Sequence, residues 1–172
     1  LYGNGADFYT IKGIVEKLLY VLNTAEYDVQ PITDNPTFHP GRCAQFIIEG
    51  KTVATLGEVH PLVAENYDIG TRVYLAEIDV DTAYEYKLGT RTHKPLPKFP
   101  ATTRDLAFVC EKEIPVLMLQ KAIGEAVGKT LEAVKLFDVY EGNQIEEGKK
   151  SVAFNIRMRS AERTLTDEEA DS

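Results

Sequence analysis

Residues 151–159 set the tightest limit on the fold. Val152, Phe154, Ile156 and Met158 alternate there with Ser151, Ala153, Asn155, Arg157 and Arg159. Successive side chains of a strand point to opposite faces, so this pattern predicts a strand with one face buried and the other open. The surroundings narrow the choice further. Residues 106–110 read as a strand. Residues 115–127 read as a helix with Val116, Leu119, Ile123 and Val127 inward, Pro115 in its first turn and Gly128 as its stop. Residues 133–140 read as another strand. Thr166-Asp167-Glu168-Glu169 is a capping box that opens a second helix. The order β-α-β-β-α is that of a ferredoxin-like split βαβ domain. Its closing helix has about one turn of sequence and its last strand none, so the domain is expected to be truncated at its C-terminus. The chain also starts at Leu1 rather than Met, as if cut from something longer.

The first half has a different rhythm. Ile11, Ile14, Val15, Leu18, Leu19 and Leu22 recur at the three-and-four spacing of one helix face, over residues 10–22, with Asn23 as the stop. Two apolar runs, 43–48 and 52–56, flank Glu49-Gly50-Lys51, a hairpin signal. Residues 73–78 are a third strand, with Val73, Leu75 and Glu77 on one side. Residues 61–67 are a short helix that begins at Pro61. Residues 87–103 carry Pro95, Pro97 and Pro100 among cations, which predicts an extended connector. The fold class is therefore α+β. An antiparallel sheet domain spans 1–93 and the split βαβ domain spans 94–172.

A net charge of −8 argues against non-specific nucleic-acid binding, which depends on phosphate neutralisation. The cations are clustered, however. Lys87, Arg91, Lys94, Lys98 and Arg104 lie together without an acid, and Lys149, Lys150, Arg157, Arg159 and Arg163 lie together with one, Glu162. Such strips suit local contact with a polyanion. No apolar run reaches the roughly 18–20 residues of a membrane span, and no signal peptide is present. Cys43 and Cys110 read as free thiols of a reducing cytoplasm.

Several words stand in order along the chain. They include Asp7-Phe8-Tyr9 with Lys12-Gly13, Phe38-His39-Pro40-Gly41-Arg42 and Gly57-Glu58-Val59-His60-Pro61. Downstream come Lys98-Phe99-Pro100-Ala101, Arg104-Asp105-Leu106-Ala107-Phe108-Val109, Leu136-Phe137-Asp138-Val139-Tyr140-Glu141-Gly142, Gly148-Lys149-Lys150-Ser151-Val152-Ala153-Phe154 and Arg163-Thr164-Leu165-Thr166-Asp167-Glu168-Glu169. Together they resemble the C-terminal region of the bacterial phenylalanyl-tRNA synthetase β subunit. The resemblance implies a partial, catalytically silent class II synthetase-like domain followed by the ferredoxin-fold anticodon-binding domain. It also implies an (αβ)₂ heterotetramer that charges tRNA(Phe) with phenylalanine. The α subunit would use ATP and Mg²⁺, and no cofactor or autonomous active site is expected in this segment.

On this reading the open sheet face is the RNA surface. Asn155, Arg157 and Arg159 would offer cations and hydrogen bonds, and Phe137 or Tyr140 would stack on unpaired bases. Lys98 and Arg104, in the connector, would grip phosphates. The plain alternative for each is a solvated surface residue. A generic RNA-binding module of the RRM type is a second reading, since residues 150–155 faintly echo an RNP1 strand but lack its glycine and paired aromatics. A regulatory or scaffold domain on the same sheet is a third. His39, Cys43 and His60 lack the close ligand pairs of a zinc site, so turn geometry before Pro40 and Pro61 explains the histidines better. Arg42 has the look of a class II substrate arginine, but the turn made by Pro40 and Gly41 accounts for it more simply.

Overall fold

The computed structural model describes residues 1–90, 92–93, 95–142 and 144–171. It divides into two compact units, Leu1–Thr92 and His93–Ser172.

The first unit begins with helix α1 (Phe8–Leu22). Asp7 caps it by accepting from the Thr10 amide at 2.6 Å, and Ile11, Val15 and Leu19 form its buried face. Asn23 ends it in the left-handed region at φ 58°, its N–H closing on the carbonyls of the last turn. Strands β1 (Asp28–Pro31), β2 (Phe38–Ile48), β3 (Lys51–Val59) and β4 (Tyr74–Ile78) form an antiparallel sheet in that order. The β2–β3 turn has Glu49 and Gly50 both at positive φ, the two-residue geometry whose twist matches a hairpin. Helix α1 packs on β3 and β4. Short helices α2 (Pro61–Asn66) and α3 (Val80–Glu85) follow β3 and β4. Two elements here have no sequence signal: β1, four residues ending in proline, and α3, only six residues long.

The β2–β3 ladder is interrupted once. Phe38 pairs with Val59, and the next pair is Cys43 with Gly57, so residues 39–42 bulge out of the strand. Gly57 permits the close approach beyond the bulge. A Cβ there would lie 2.5 Å from the Arg42 carbonyl oxygen.

In the second unit, β5 (Thr102–Glu111), β6 (Leu131–Tyr140) and β7 (Lys149–Met158) form a sheet in the order β5-β7-β6, with both outer strands antiparallel to β7. Helix α4 (Val116–Val127) joins β5 to β6, so two parallel strands enclose a third, which is the split βαβ arrangement. Val152, Phe154, Ile156 and Met158 are buried on the helix side with Ile123, as the alternation predicts. Val116, Leu119 and Val127 pack on the same cluster, and Gly128 ends the helix at φ 64°. Helix α5 (Asp167–Asp171) opens on a reciprocal capping box. The Glu169 amide donates to Thr166 Oγ1 at 3.3 Å and the Thr166 amide donates to Glu169 Oε2 at 3.0 Å. Strand β5 starts at Thr102, four residues earlier than the pattern predicts, and so takes Arg104 out of the connector. Among the described residues no helix is long and apolar enough to cross a membrane.

Candidate nucleic-acid interface

Register defines the uncovered face of the second sheet. Four rungs cross it from β5 through β7 to β6: Thr103–Arg157–Ala133, Asp105–Asn155–Lys135, Ala107–Ala153–Asp138 and Val109–Ser151–Tyr140. All these residues lie opposite the apolar side of β7, and no described helix covers them. The last two rungs are small in the middle, at Ala153 and Ser151, with Ala107 beside Ala153, which leaves a shallow floor. Aromatic groups stand at the β6 margin. Tyr140 is 42% exposed and Phe137 is 56% exposed. The Tyr140 ring lies against Gly142, where an added Cβ would fall 2.3 Å from the phenol oxygen.

Strand β6 has one-residue register shifts at Glu132 and at Phe137. A bulge adds a residue without a partner and breaks the period-two phase. The first shift has an electrostatic consequence. The Glu132 carboxylate lies 3.3 Å from Arg157 Nε and accepts from Arg159 Nε at 2.8 Å. The Arg159 hydrogen bond, foremost, and the Arg157 charge hold the Glu132 carboxyl below its ordinary range.

The candidate RNA-binding residues thus fall into distinct surroundings. Arg157 is on the open face with its side chain about half exposed, and it shares Glu132. Asn155 is there too, donating through Nδ2 to Asp105 Oδ1 at 2.7 Å. Arg159 differs from expectation: the strand ends at Met158, and the Arg159 side chain is only 16% exposed. Its guanidinium also donates to the Phe99 carbonyl, so it ties the chain before β5 to the edge of β6. Arg104 differs as well. It is opposite Ile156 on the helix side, where Nη2 donates to Asp167 at 2.7 Å and Nε to Asp171 at 2.5 Å. Those bonds hold its guanidinium more firmly charged than usual. Lys98 is exposed and has no ion-pair partner among the described residues. Arg91 and Lys94 of the expected connector strip lie outside the described residues.

The second basic strip dissolves into separate pairs. Lys149 meets Glu146 at 2.6 Å, Arg163 meets Glu169, and Arg157 and Arg159 share Glu132. Lys150 is buried, and its Nζ donates to the carbonyls of Lys112 and Ile114 at 2.8 and 2.7 Å. One cation went unnoticed in the sequence. Lys135 is exposed on the open face beside Asn155, with no ion-pair partner among the described residues. Counting alternate positions back from Tyr140 through the Phe137 shift would have found it. The face therefore carries mixed charge: Arg157 and Lys135 stand against Asp105, Asp138 and Glu132.

His39 and His60 serve turns. Each Nδ1 accepts the amide two residues on, from Gly41 at 3.0 Å and from Leu62 at 3.2 Å. Cys43 is a buried free thiol whose burial raises its pKa to about 11, and Cys110 is free and half-buried.

Residues 97–172 match the ferredoxin-fold anticodon binding domain family. Residues 2–80 match the phenylalanyl tRNA synthetase beta chain CLM domain family. The chain is 42% identical over 171 residues to a phenylalanine–tRNA ligase beta subunit of Clostridium acetobutylicum, covering 99% of this chain and 22% of that one. It is 43% identical over 166 residues to the beta subunit of Symbiobacterium thermophilum, covering 96% and 18%. Against that of Bacillus subtilis it is 39% identical over 163 residues, covering 95% and 20%. The chain spans about a fifth of the length of these curated relatives.

Proposed function

The chain belongs to the phenylalanyl-tRNA synthetase beta-chain family through residues 2–80 and to the ferredoxin-fold anticodon-binding family through residues 97–172, and from that premise we propose that its second unit docks the anticodon loop of tRNA(Phe) on the open sheet face. The carrying observation is the shallow floor of Ala107, Ala153 and Ser151, edged by Tyr140, Phe137, Arg157 and Lys135. Loop bases are unstacked and offer flat faces and free edges, so they suit a floor with aromatic margins and hydrogen-bonding groups. The first unit serves subunit assembly. The whole enzyme is a cytoplasmic (αβ)₂ heterotetramer whose α subunit charges tRNA(Phe) with phenylalanine, using ATP and Mg²⁺. The contribution of this chain is positioning: anchoring the far end of the tRNA sets the geometry at a distant acceptor end.

The mixed charge of the face makes a quantitative demand. Two or three phosphate contacts, from Arg157, Lys135 and Lys98, give a slope of log affinity against log salt of about −1.4 to −2.1. The test titrates labelled tRNA(Phe) anticodon stem-loop and stem-loops of other anticodons by anisotropy, at two salt concentrations. Preference for the cognate loop is expected. Arg157→Ala should weaken it about tenfold, the scale of one charge-assisted contact, with the fold intact. Arg159→Ala should act on stability, because its bonds are internal to the unit. Equal binding of every loop would indicate a generic RNA module. No binding at low salt would indicate a scaffold.

A further inference from the structure

A polar concavity lies in the first unit. It encloses about 520 Å³ and is lined by His39 and Arg42 of the bulge, by Glu58, and by residues 69–73 between α2 and β4. Glu58 is the carboxylate at its base, with only 5% of its side chain exposed. Its Oε2 accepts from Arg42 Nη1 at 2.8 Å and from the Tyr74 hydroxyl at 3.3 Å. Arg72 Nε stands 3.7 Å from Oε1. Both arginines lean on one acid while keeping exposed flanks, 42% for Arg42 and 68% for Arg72.

The balance of charge favours one kind of occupant. Two guanidiniums against one carboxylate leave a net positive wall. Each guanidinium has five N–H donors, and Glu58 engages only part of each set. His39 accepts at Nδ1 from Gly41, so its neutral ring carries the proton on Nε2, one more donor at the rim. Donors thus outnumber acceptors around the concavity, and its one acid is already paired.

We propose that this concavity is an oxyanion site that takes the phosphate or carboxylate group of a small molecule on Arg42 and Arg72. Glu58 acts as the positioning residue: it holds the Arg42 guanidinium by a hydrogen bond, lies within ion-pair distance of Arg72, and weakens the anion by its own charge. That role gives a sign that a purely structural ion pair lacks. Glu58→Gln removes the repulsion and should tighten anion binding by about tenfold, while Arg72→Gln, at an exposed position, should weaken it about tenfold.

The experiment titrates the 172-residue chain with inorganic phosphate and separately with acetate, following amide chemical shifts. Saturable shifts confined to residues 39–42, 58 and 70–73 are expected. A preference for phosphate assigns a phosphorylated ligand, and a preference for acetate assigns a carboxylic acid. No saturable shift with either anion overturns the proposal. So does binding unchanged in Arg72→Gln, or weakened in a Glu58→Gln variant whose amide spectrum shows it folded.

Discussion

Each unit buries one charged side chain among the described residues, and the two are held in opposite ways. Glu58 in the first unit is an acid paired with cations that reach solvent. Lys150 in the second is a cation with no acid at all, satisfied by the carbonyls of Lys112 and Ile114. A buried charge must be compensated because desolvation disfavours it strongly. Compensation by exposed arginines leaves the group in touch with the surface, where a ligand can compete for it. Compensation by main-chain carbonyls closes the group off. Lys150 therefore reads as a clamp that fixes the turn between β5 and α4, and Glu58 as part of a surface that can still bind something.

Removing each charge tests that contrast, and the larger effect belongs to the clamp. Lys150→Met keeps most of the stem and deletes two hydrogen bonds, leaving two carbonyls without their donor. The expected cost is about 2–4 kcal/mol, since a hydrogen bond to a charged group contributes about 1.5–3 kcal/mol and two are lost. Urea unfolding followed through second-unit amide signals would measure it. A change below about 0.5 kcal/mol, the scale of an ordinary surface substitution, would mean the clamp carries no stability. Glu58→Gln retains an acceptor for Arg42 and Tyr74, so the expected cost to the first unit is smaller, about 1 kcal/mol. A cost as large as that of Lys150→Met would place Glu58 with the closed structural charges and break the comparison.

What was legible in the sequence follows from periodicity and its interruptions. Strand β7 was legible from Ser151 to Met158 because nothing breaks its alternation there, so both faces of that span could be assigned in advance, and only Arg159, past its end, was misplaced. Strand β6 was only partly legible. Its shifts at Glu132 and Phe137 reset the phase twice in ten residues, hiding Lys135 and the acid that neutralises Arg157 and Arg159. The cation strips misled for a different reason, because a count of charge along the chain ignores burial. It grouped buried Lys150 with exposed Arg157, and it placed Arg104 in a connector although it faces α5. Glu58 did leave a signal. Ala54, Leu56 and Glu58 share one face of β3, paired with Ile78, Ala76 and Tyr74, so period two alone directs Glu58 inward.

The third way of holding charge, a pair in solvent, should show the smallest effect and the clearest dependence on pH. Arg163 donates to both oxygens of Glu169, and the Thr166 amide adds a further bond. These bonds, the arginine's first, hold the Glu169 carboxyl at about 2, against an ordinary 4.5. A carboxyl lowered by folding supports the folded form above its unfolded value and loses that support as pH falls toward its folded value. The capping box of α5 should therefore stay closed at pH 5 and loosen between about 4.5 and 2, with little change in the rest of the unit. The Thr166 amide shift, followed by NMR through an acid titration, reads this directly. Glu169→Gln should abolish the transition at that amide and leave the signals around Lys150 in place, because the clamp uses carbonyls that do not titrate. If the Thr166 and Lys112–Ile114 signals instead moved together, the exposed pair and the buried clamp would form one cooperative element, and the distinction between open and closed charges would fail in this unit.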